Sequence, residues 1–274
     1  MLAEVRDGGF DLRSGVNAEV KGMGGRRSMS IDSKFACLTY HAIGNEFTQY
    51  VISEDQLRNQ LEFLSEEGFV VEGFEQLEFR LRANSIFPGK YVLLTVDDGH
   101  ESALRIADLL EPCGCNATFF PTRDRALGRP GYLRPQEMRE LRRRGFSLGT
   151  HGTTHRILTA MPEQTCAAEL EESKQWLEDV TGEEISYMAA PGGFVNRRVL
   201  RLAYSLGYRL IGTCRESVNP VSTLNLPGTL NRVNVRRHFT LADFRRIVEN
   251  DSGFYLRRRI RSSLLWLPKQ ILCR

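Results

Sequence analysis

Val92-Leu93-Leu94-Thr95-Val96-Asp97-Asp98-Gly99-His100 carries a run of apolar and β-branched residues into two adjacent acids and a glycine. A strand buried on both faces of a parallel sheet has this apolar character, and the acids are expected just past its end. Two neighbouring carboxylates at the rim of a core can divide the work, one holding a metal while the other accepts a proton. Asp-Asp-Gly is also common turn chemistry, so the reading depends on what else arrives at that rim.

Working outward, strand-like and helix-like segments alternate. Phe35 to Tyr40 reads as a strand delivering His41. Ser53 with Gln56 predicts a capping box opening a helix that ends at Gly68. Short strands are expected at 69–71, 117–120, 146–150, 185–190 and 208–212. Helices are expected at 74–82, after the acids, and at about 136–144, 163–180 and 196–206. Repeated strand-then-helix order implies a parallel sheet. About seven such units predict a single α/β domain built as a distorted or incomplete parallel (β/α) barrel. His41, Asp97, Asp98, His151 and Pro191-Gly192-Gly193 each follow a strand, and in a parallel barrel those ends share one face, where active sites are built.

His151-Gly152-Thr153-Thr154-His155 is the second signal. The i, i+4 spacing suits two imidazoles on one metal, and the intervening Gly and Thr place them in a loop. With an aspartate strand end on the same face, a His-His-Asp site follows. Three protein ligands leave positions open for water and substrate, as in catalytic zinc sites.

The composition is that of a soluble globular chain: 274 residues, 41% hydrophobic, 26% charged. A net charge of +3 is too small to argue for nucleic acid. The six cysteines lie in apolar or loop segments. Cys113 and Cys115 fit neither a redox pair nor a zinc knuckle, so free thiols and a reducing compartment are expected. No apolar run reaches transmembrane length, and the N-terminus lacks the apolar core of a signal peptide. A cytoplasmic protein, or one peripheral to the inner face of the membrane, is the expectation. Residues 1–30 read as a flexible tail, 31–250 as the catalytic domain and 251–274 as a basic amphipathic segment.

Thr95-Val96-Asp97-Asp98-Gly99 and Gly149-Thr150-His151-Gly152-Thr153-Thr154-His155 resemble the first two motifs of the polysaccharide deacetylases, carbohydrate esterase family 4 with its NodB homology domain. The resemblance covers roughly residues 34 to 235. It implies a NodB-like barrel that removes acetyl groups from N-acetylated sugars, a glycan partner and one divalent metal ion, zinc first, with cobalt, nickel or iron as alternatives. It further implies Asp97 as general base, Asp98, His151 and His155 as metal ligands, and a backbone N–H at Gly192, beside Pro191, for the oxyanion.

Three features depart from that pattern. Ala189 stands where the third motif carries the arginine that pairs with the base, so Asp97 is expected to have a higher pKa or a different partner. No Asp-Trp fourth motif is visible near Cys214 to Asn219. The late Leu-x-His is missing unless His238 fills it. Leu38-Thr39-Tyr40-His41 resembles the circularly permuted exopolysaccharide deacetylases, whose acid histidine lies on the first strand, which favours His41 over His238 as general acid. His100 reads as a helix-start residue outside the site.

An aspartyl-nucleophile phosphatase fails on spacing, since residue 99 is glycine. A catalytically weak glycan-binding member of the fold, or a deacetylase or deformylase of a small or lipid-linked amino sugar, are the alternatives. In the last segment, Tyr255 to Arg261 leads into Leu264-Leu265-Trp266-Leu267. It suits either a closing helix packed on the barrel or peripheral contact with an anionic membrane.

Overall fold

The computed structural model describes residues 34–258. The expected tail over 1–30 and the Leu264–Leu267 anchor lie outside the described residues.

The strands in chain order are β1 (Lys34–Tyr40), β2 (Ala42–Ile43), β3 (Val51–Ile52), β4 (Val70–Glu72), β5 (Tyr91–Asp98), β6 (Thr118–Pro121), β7 (Ser147–Leu148), β8 (Tyr187–Ala189), β9 (Leu210–Gly212), β10 (Asn219–Pro220), β11 (Gly228–Leu230) and β12 (Val233–Asn234). The helices are α1 (Glu54–Glu66), α2 (Phe74–Arg82), α3 (Ala103–Leu110), α4 (Arg123–Gly128), α5 (Pro135–Arg143), α6 (Glu163–Thr181), α7 (Arg197–Ser205) and α8 (Leu241–Val248). The predicted alternation is present. The strand carrying the acids runs through Asp98, so the two carboxylates are its last residues rather than lying just beyond it.

The parallel pairings run β12–β1–β5–β6–β7. A bridge from Thr150 to Met188 carries the path to β8, and β8–β9–β11 completes it. β11 and β12 are two halves of one stretch, 228–234, separated only by Asn231 and Arg232. The ring of pairings therefore returns on itself through this bent segment, giving a distorted seven-membered barrel. β4 adds beside the lower half of β5 and β10 pairs antiparallel with the start of β1.

Alternation along the strands divides the core. Phe35, Cys37, Tyr91, Leu93, Phe120, Tyr187, Ala189, Leu210 and Leu230 form one cluster inside the barrel. Ala36, Leu38, Tyr40, Val92, Leu94, Val96 and Phe119 face the other way and pack under the helices. That is the period-2 rule applied to strands buried on both faces. Each of these side chains is nearly inaccessible, and burying a valine, leucine or phenylalanine among them contributes about 1.5–3 kcal/mol.

Only half of the expected capping box at α1 forms. Ser53 Oγ accepts from the Gln56 N–H at 3.1 Å. The Gln56 amide instead donates to the carbonyls of Arg236 and Phe239, both at 3.1 Å, tying α1 to the segment after β12. Residues 252–258 are helical, with Phe254 and Tyr255 buried. Arg258 is held by Glu216 at 2.5 and 2.6 Å. This part of the last segment packs on the barrel, as the closing-helix expectation requires. Among the described residues no helix is long and apolar enough to cross a membrane, and Cys37, Cys113, Cys115, Cys166 and Cys214 are free.

Candidate active site and metal centre

Asp97 alternates with Leu93 and Thr95 and so points into the barrel. Asp98, the next residue, turns out of the strand with φ +73°, and its carboxylate stands at the mouth. β7 is short, and the loop after it carries His151 and His155, the latter also left-handed at φ +63°. Two of the three candidate ligands thus occupy a conformation that costs L-residues roughly 1–3 kcal/mol each. The strain is held by the surroundings. Glu169 on α6 is 6% exposed and accepts from the Thr154 N–H at 2.6 Å and the Thr154 hydroxyl at 2.9 Å. Its own carbonyl accepts from the Thr153 hydroxyl at 3.1 Å.

The three ligand atoms converge, all within 4.8 Å of one another. His155 Nε2 lies 3.0 Å and His151 Nε2 3.4 Å from Asp98 Oδ1. The Nδ1–H of His151 donates to the Ala189 carbonyl at 2.8 Å, which leaves the Nε2 lone pair facing the cluster. Burial pushes the His151 imidazole down to about 4 against the pull of Asp97 and Asp98, so it is neutral near pH 7, the form that binds metals. Burial acts to raise the Asp98 carboxyl, but His155, His151, His41 and Arg125 together hold it well below the usual range. Asp98 Oδ1 is buried and makes no well-aligned hydrogen bond, although Arg125 Nη1 approaches to 2.7 Å. Two imidazole nitrogens and a carboxylate oxygen are the donor set of a transition-metal site, and the residues fit one.

The absence of an arginine at 189 is made good from elsewhere. Arg232, between β11 and β12, is fully buried. Its Nη1 donates to Asp97 Oδ1 at 2.7 Å and its Nη2 to Asp97 Oδ2 at 2.8 Å. Nη1 also donates to Thr95 Oγ1, and Nε to the Thr213 carbonyl, each at 3.1 Å. Room for this side chain comes from Gly212, the register partner of Ala189. A Cβ on Gly212 would lie 2.6 Å from Arg232 Nε. Burial works to raise the Asp97 carboxyl, and Arg232 with His151 more than offsets it, so the group is held below its ordinary value. Of the two expectations for Asp97, the different partner is present and the higher pKa is corrected.

His41 follows β1 at the same mouth. Its ring stacks on Tyr50 with centroids 4.7 Å apart, and its buried Nδ1 has no hydrogen-bond partner. Burial lowers its pKa, while Asp97 and Asp98 are close enough to oppose that shift. His238 is exposed and packs edge-on against Phe239 next to α8, away from the cluster. His100 binds Ser102 at 2.9 Å and is not in the cluster. Pro191-Gly192-Gly193 forms a tight turn after β8. A Cβ on Gly193 would meet the Cys214 backbone N at 2.2 Å, so only glycine lets this turn lie against the 214 segment.

Arg232, Arg125, Tyr50 and Glu169 escape a motif reading. The available signal for Arg232 is one arginine alternating with apolar residues in Leu230-Asn231-Arg232-Val233; for the others the sequence offers none.

A sequence model described as Polysaccharide deacetylase matches residues 84–211. The chain resembles that family over this stretch. It is 24% identical over 181 residues to YxkH of Bacillus subtilis, a provisionally named polysaccharide deacetylase, covering 65% of this chain and 63% of YxkH. It is 27% identical over 124 residues to the peptidoglycan-N-acetylglucosamine deacetylase of Bacillus cereus, covering 44% of this chain and 55% of that one. The chain thus spans less than two thirds of these two relatives. The solved structure of Streptococcus pyogenes deacetylase PplD, in complex with acetate, superposes with TM-score 0.70 at 23% identity, covering 80% of this chain and 98% of that one. At this identity the likeness speaks for the fold, a NodB-like α/β domain.

Proposed function

We propose that this protein is a polysaccharide deacetylase, a metal-dependent hydrolase that removes N-acetyl groups from an N-acetylated glycan, with zinc as the first candidate metal. The observation that carries the reading is the convergence of Asp98, His151 and His155 within 4.8 Å beside a carboxylate clamped by a buried arginine. Binding alone needs no such base.

A divalent cation held by Asp98, His151 and His155 would polarise an acetyl carbonyl and lower the pKa of water. Asp97, kept ionised and oriented by Arg232, takes the proton of the attacking water. The Gly192 N–H, on the turn after Pro191, donates to the oxygen where negative charge develops. His41 gives a proton to the departing amine, which would otherwise be a poor leaving group. Its place directly after the first strand supports the permuted branch of the family.

The test is acetate release from N-acetylglucosamine oligomers by zinc-loaded protein, with Asp97→Asn as control. Release that depends on zinc and is lost in Asp97→Asn is expected. Zinc-loaded folded protein that releases no acetate from any acetylated glycan would overturn the reading.

A further inference from the structure

A histidine that works on protons is usually aimed by a hydrogen bond from its second ring nitrogen, which fixes both the tautomer and the plane of the ring. His151 is held this way, through Nδ1 to the Ala189 carbonyl at 2.8 Å. His41 is not. Its buried Nδ1 has no hydrogen-bond partner among the described residues. The torsion that turns an imidazole on its Cβ is broad, so something else must set this ring. An aromatic face lies against it: the half-buried Tyr50 ring stacks on His41 with centroids 4.7 Å apart and planes 29° from parallel.

Strand register builds the stack. β2 and β3 pair in parallel with Ala42 opposite Val51. His41 and Tyr50 are the residues immediately before those two, so the pairing brings them side by side. Tyr50 is fixed in turn by its neighbours, both of which are tied to Arg237. The Gln49 carbonyl accepts from the Arg237 backbone N–H at 3.0 Å, and the Val51 carbonyl accepts from Arg237 Nη1 at 3.2 Å. The Val51 N–H donates to Thr48 Oγ1 at 3.2 Å. On the other strand the Ile43 N–H donates to Ser102 Oγ at 3.1 Å.

The charges around His41 come from several elements. Burial, the largest influence, disfavours its imidazolium; Asp97 and Asp98 on β5 favour it; Arg232 and His155 disfavour it. The face of a tyrosine ring carries partial negative charge and attracts a cation lying over it. Tyr50 therefore acts on the side of the two carboxylates, and it does so without accepting the proton.

We propose that Tyr50 is a positioning residue for the general acid: its ring fixes the plane of His41 and stabilises the imidazolium that gives its proton to the departing amine. This rests on the deacetylase reading and adds to it the group that aims the acid.

The experiment compares the unaltered chain with Tyr50→Phe, Tyr50→Leu and Tyr50→pentafluorophenylalanine. Zinc-loaded proteins are assayed for acetate release from the N-acetylglucosamine hexamer, giving kcat, KM and the basic limb of kcat/KM, which reports the acid in the free enzyme. The metal-free proteins are titrated by NMR at the His41 ring protons, identified by their loss in His41→Ala. Tyr50→Phe should stay within about twofold of the unaltered protein, because the stack remains. Tyr50→Leu should lower kcat about tenfold with little change in KM, as expected for a misaimed proton donor. In Tyr50→Leu and in the fluorinated variant, the basic limb and the NMR midpoint should both move about half a unit to lower pH. The fluorinated ring keeps the aromatic shape but loses its negative face, so it separates attraction for the cation from packing, and it carries the test if Tyr50→Leu does not fold. An unmoved limb and midpoint, a loss confined to KM, or an equal loss in Tyr50→Phe would overturn the proposal. No turnover by the unaltered protein overturns the deacetylase reading alone, because the midpoint still decides the stack. A midpoint lowered in the fluorinated variant supports it, and an unchanged one overturns it.

Discussion

Arg232 reaches Asp97 across the barrel interior as a two-pronged buried pair, at 2.7 and 2.8 Å. The pair joins residues 135 positions apart, and the cation comes from the segment that closes the barrel. A carboxylate in an apolar interior would otherwise take up a proton. Two parallel N–H donors hold it both ionised and oriented. The same guanidinium explains why residue 212 is glycine.

Arg232→Met should therefore do two things. It leaves a buried carboxylate without its partner, and breaking such a pair costs about 3–5 kcal/mol. It also leaves burial without its main opponent, so the Asp97 pKa rises and the acid limb of kcat/KM moves to higher pH. The sign for stability follows. Asp97 is depressed in the folded state, so its contribution is present above the unfolded carboxylate pKa and disappears as pH falls through the folded value. Urea unfolding against pH should show that loss in the unaltered protein and a weaker dependence in Arg232→Met. An unmoved acid limb in folded, metal-loaded Arg232→Met would remove the pairing role.

Ala189→Arg should not restore anything. Position 189 is fully buried, and its register partner Gly212 already touches Arg232. A second guanidinium meets both overpacking, at roughly 1–3 kcal/mol, and a like charge. Lower thermal stability with no shift of the acid limb to lower pH is expected; a stable variant with a clearly lowered limb would show that the interior has room for two cations.

Chelation should abolish deacetylation, and added zinc or cobalt should restore it. Metal should also raise the melting temperature of the unaltered protein, because it binds only the folded site. His151→Ala and His155→Ala should lose that increment. Full activity in verified metal-free protein contradicts the assignment.

Arg125→Gln should tighten metal binding by about tenfold or more, since a cation 2.7 Å from Asp98 Oδ1 opposes a dication at the same oxygen. Competition with a chelator of known affinity measures it. Weaker binding in the variant would mean that Arg125 positions Asp98 instead of competing with the metal.

His41→Ala should lower kcat by about a hundredfold or more, in line with the loss of a general acid, with metal content unchanged. His238→Ala, on the surface beside Phe239, should be mild. The reverse ranking would place the acid elsewhere.

Much of this protein could be read from the chain alone, because the deciding interactions are local. The helices at 54–66, 74–82, 135–143, 163–181 and 197–205 follow from apolar spacing and end signals within a few residues. Asp97-Asp98 at a strand end and the His151–His155 spacing are properties of short segments too. The match of residue types to strand ends was enough to predict one face and a metal site on it. The tertiary structure decided what depends on two distant segments meeting. Whether Asp97 has a cation turns on how 228–234 bends between β9 and β1. Arg125 meets Asp98 because α4 docks on the 151–155 loop through the Arg123 and Asp124 N–H groups, which donate to Gly152 and Thr153. Glu169 stabilises the left-handed His155 turn from a helix that reads as ordinary amphipathic sequence. Side-chain chemistry names possible partners. Barrel closure selects among them, because only the register of strands far apart in sequence sets which inward-facing residues share a layer.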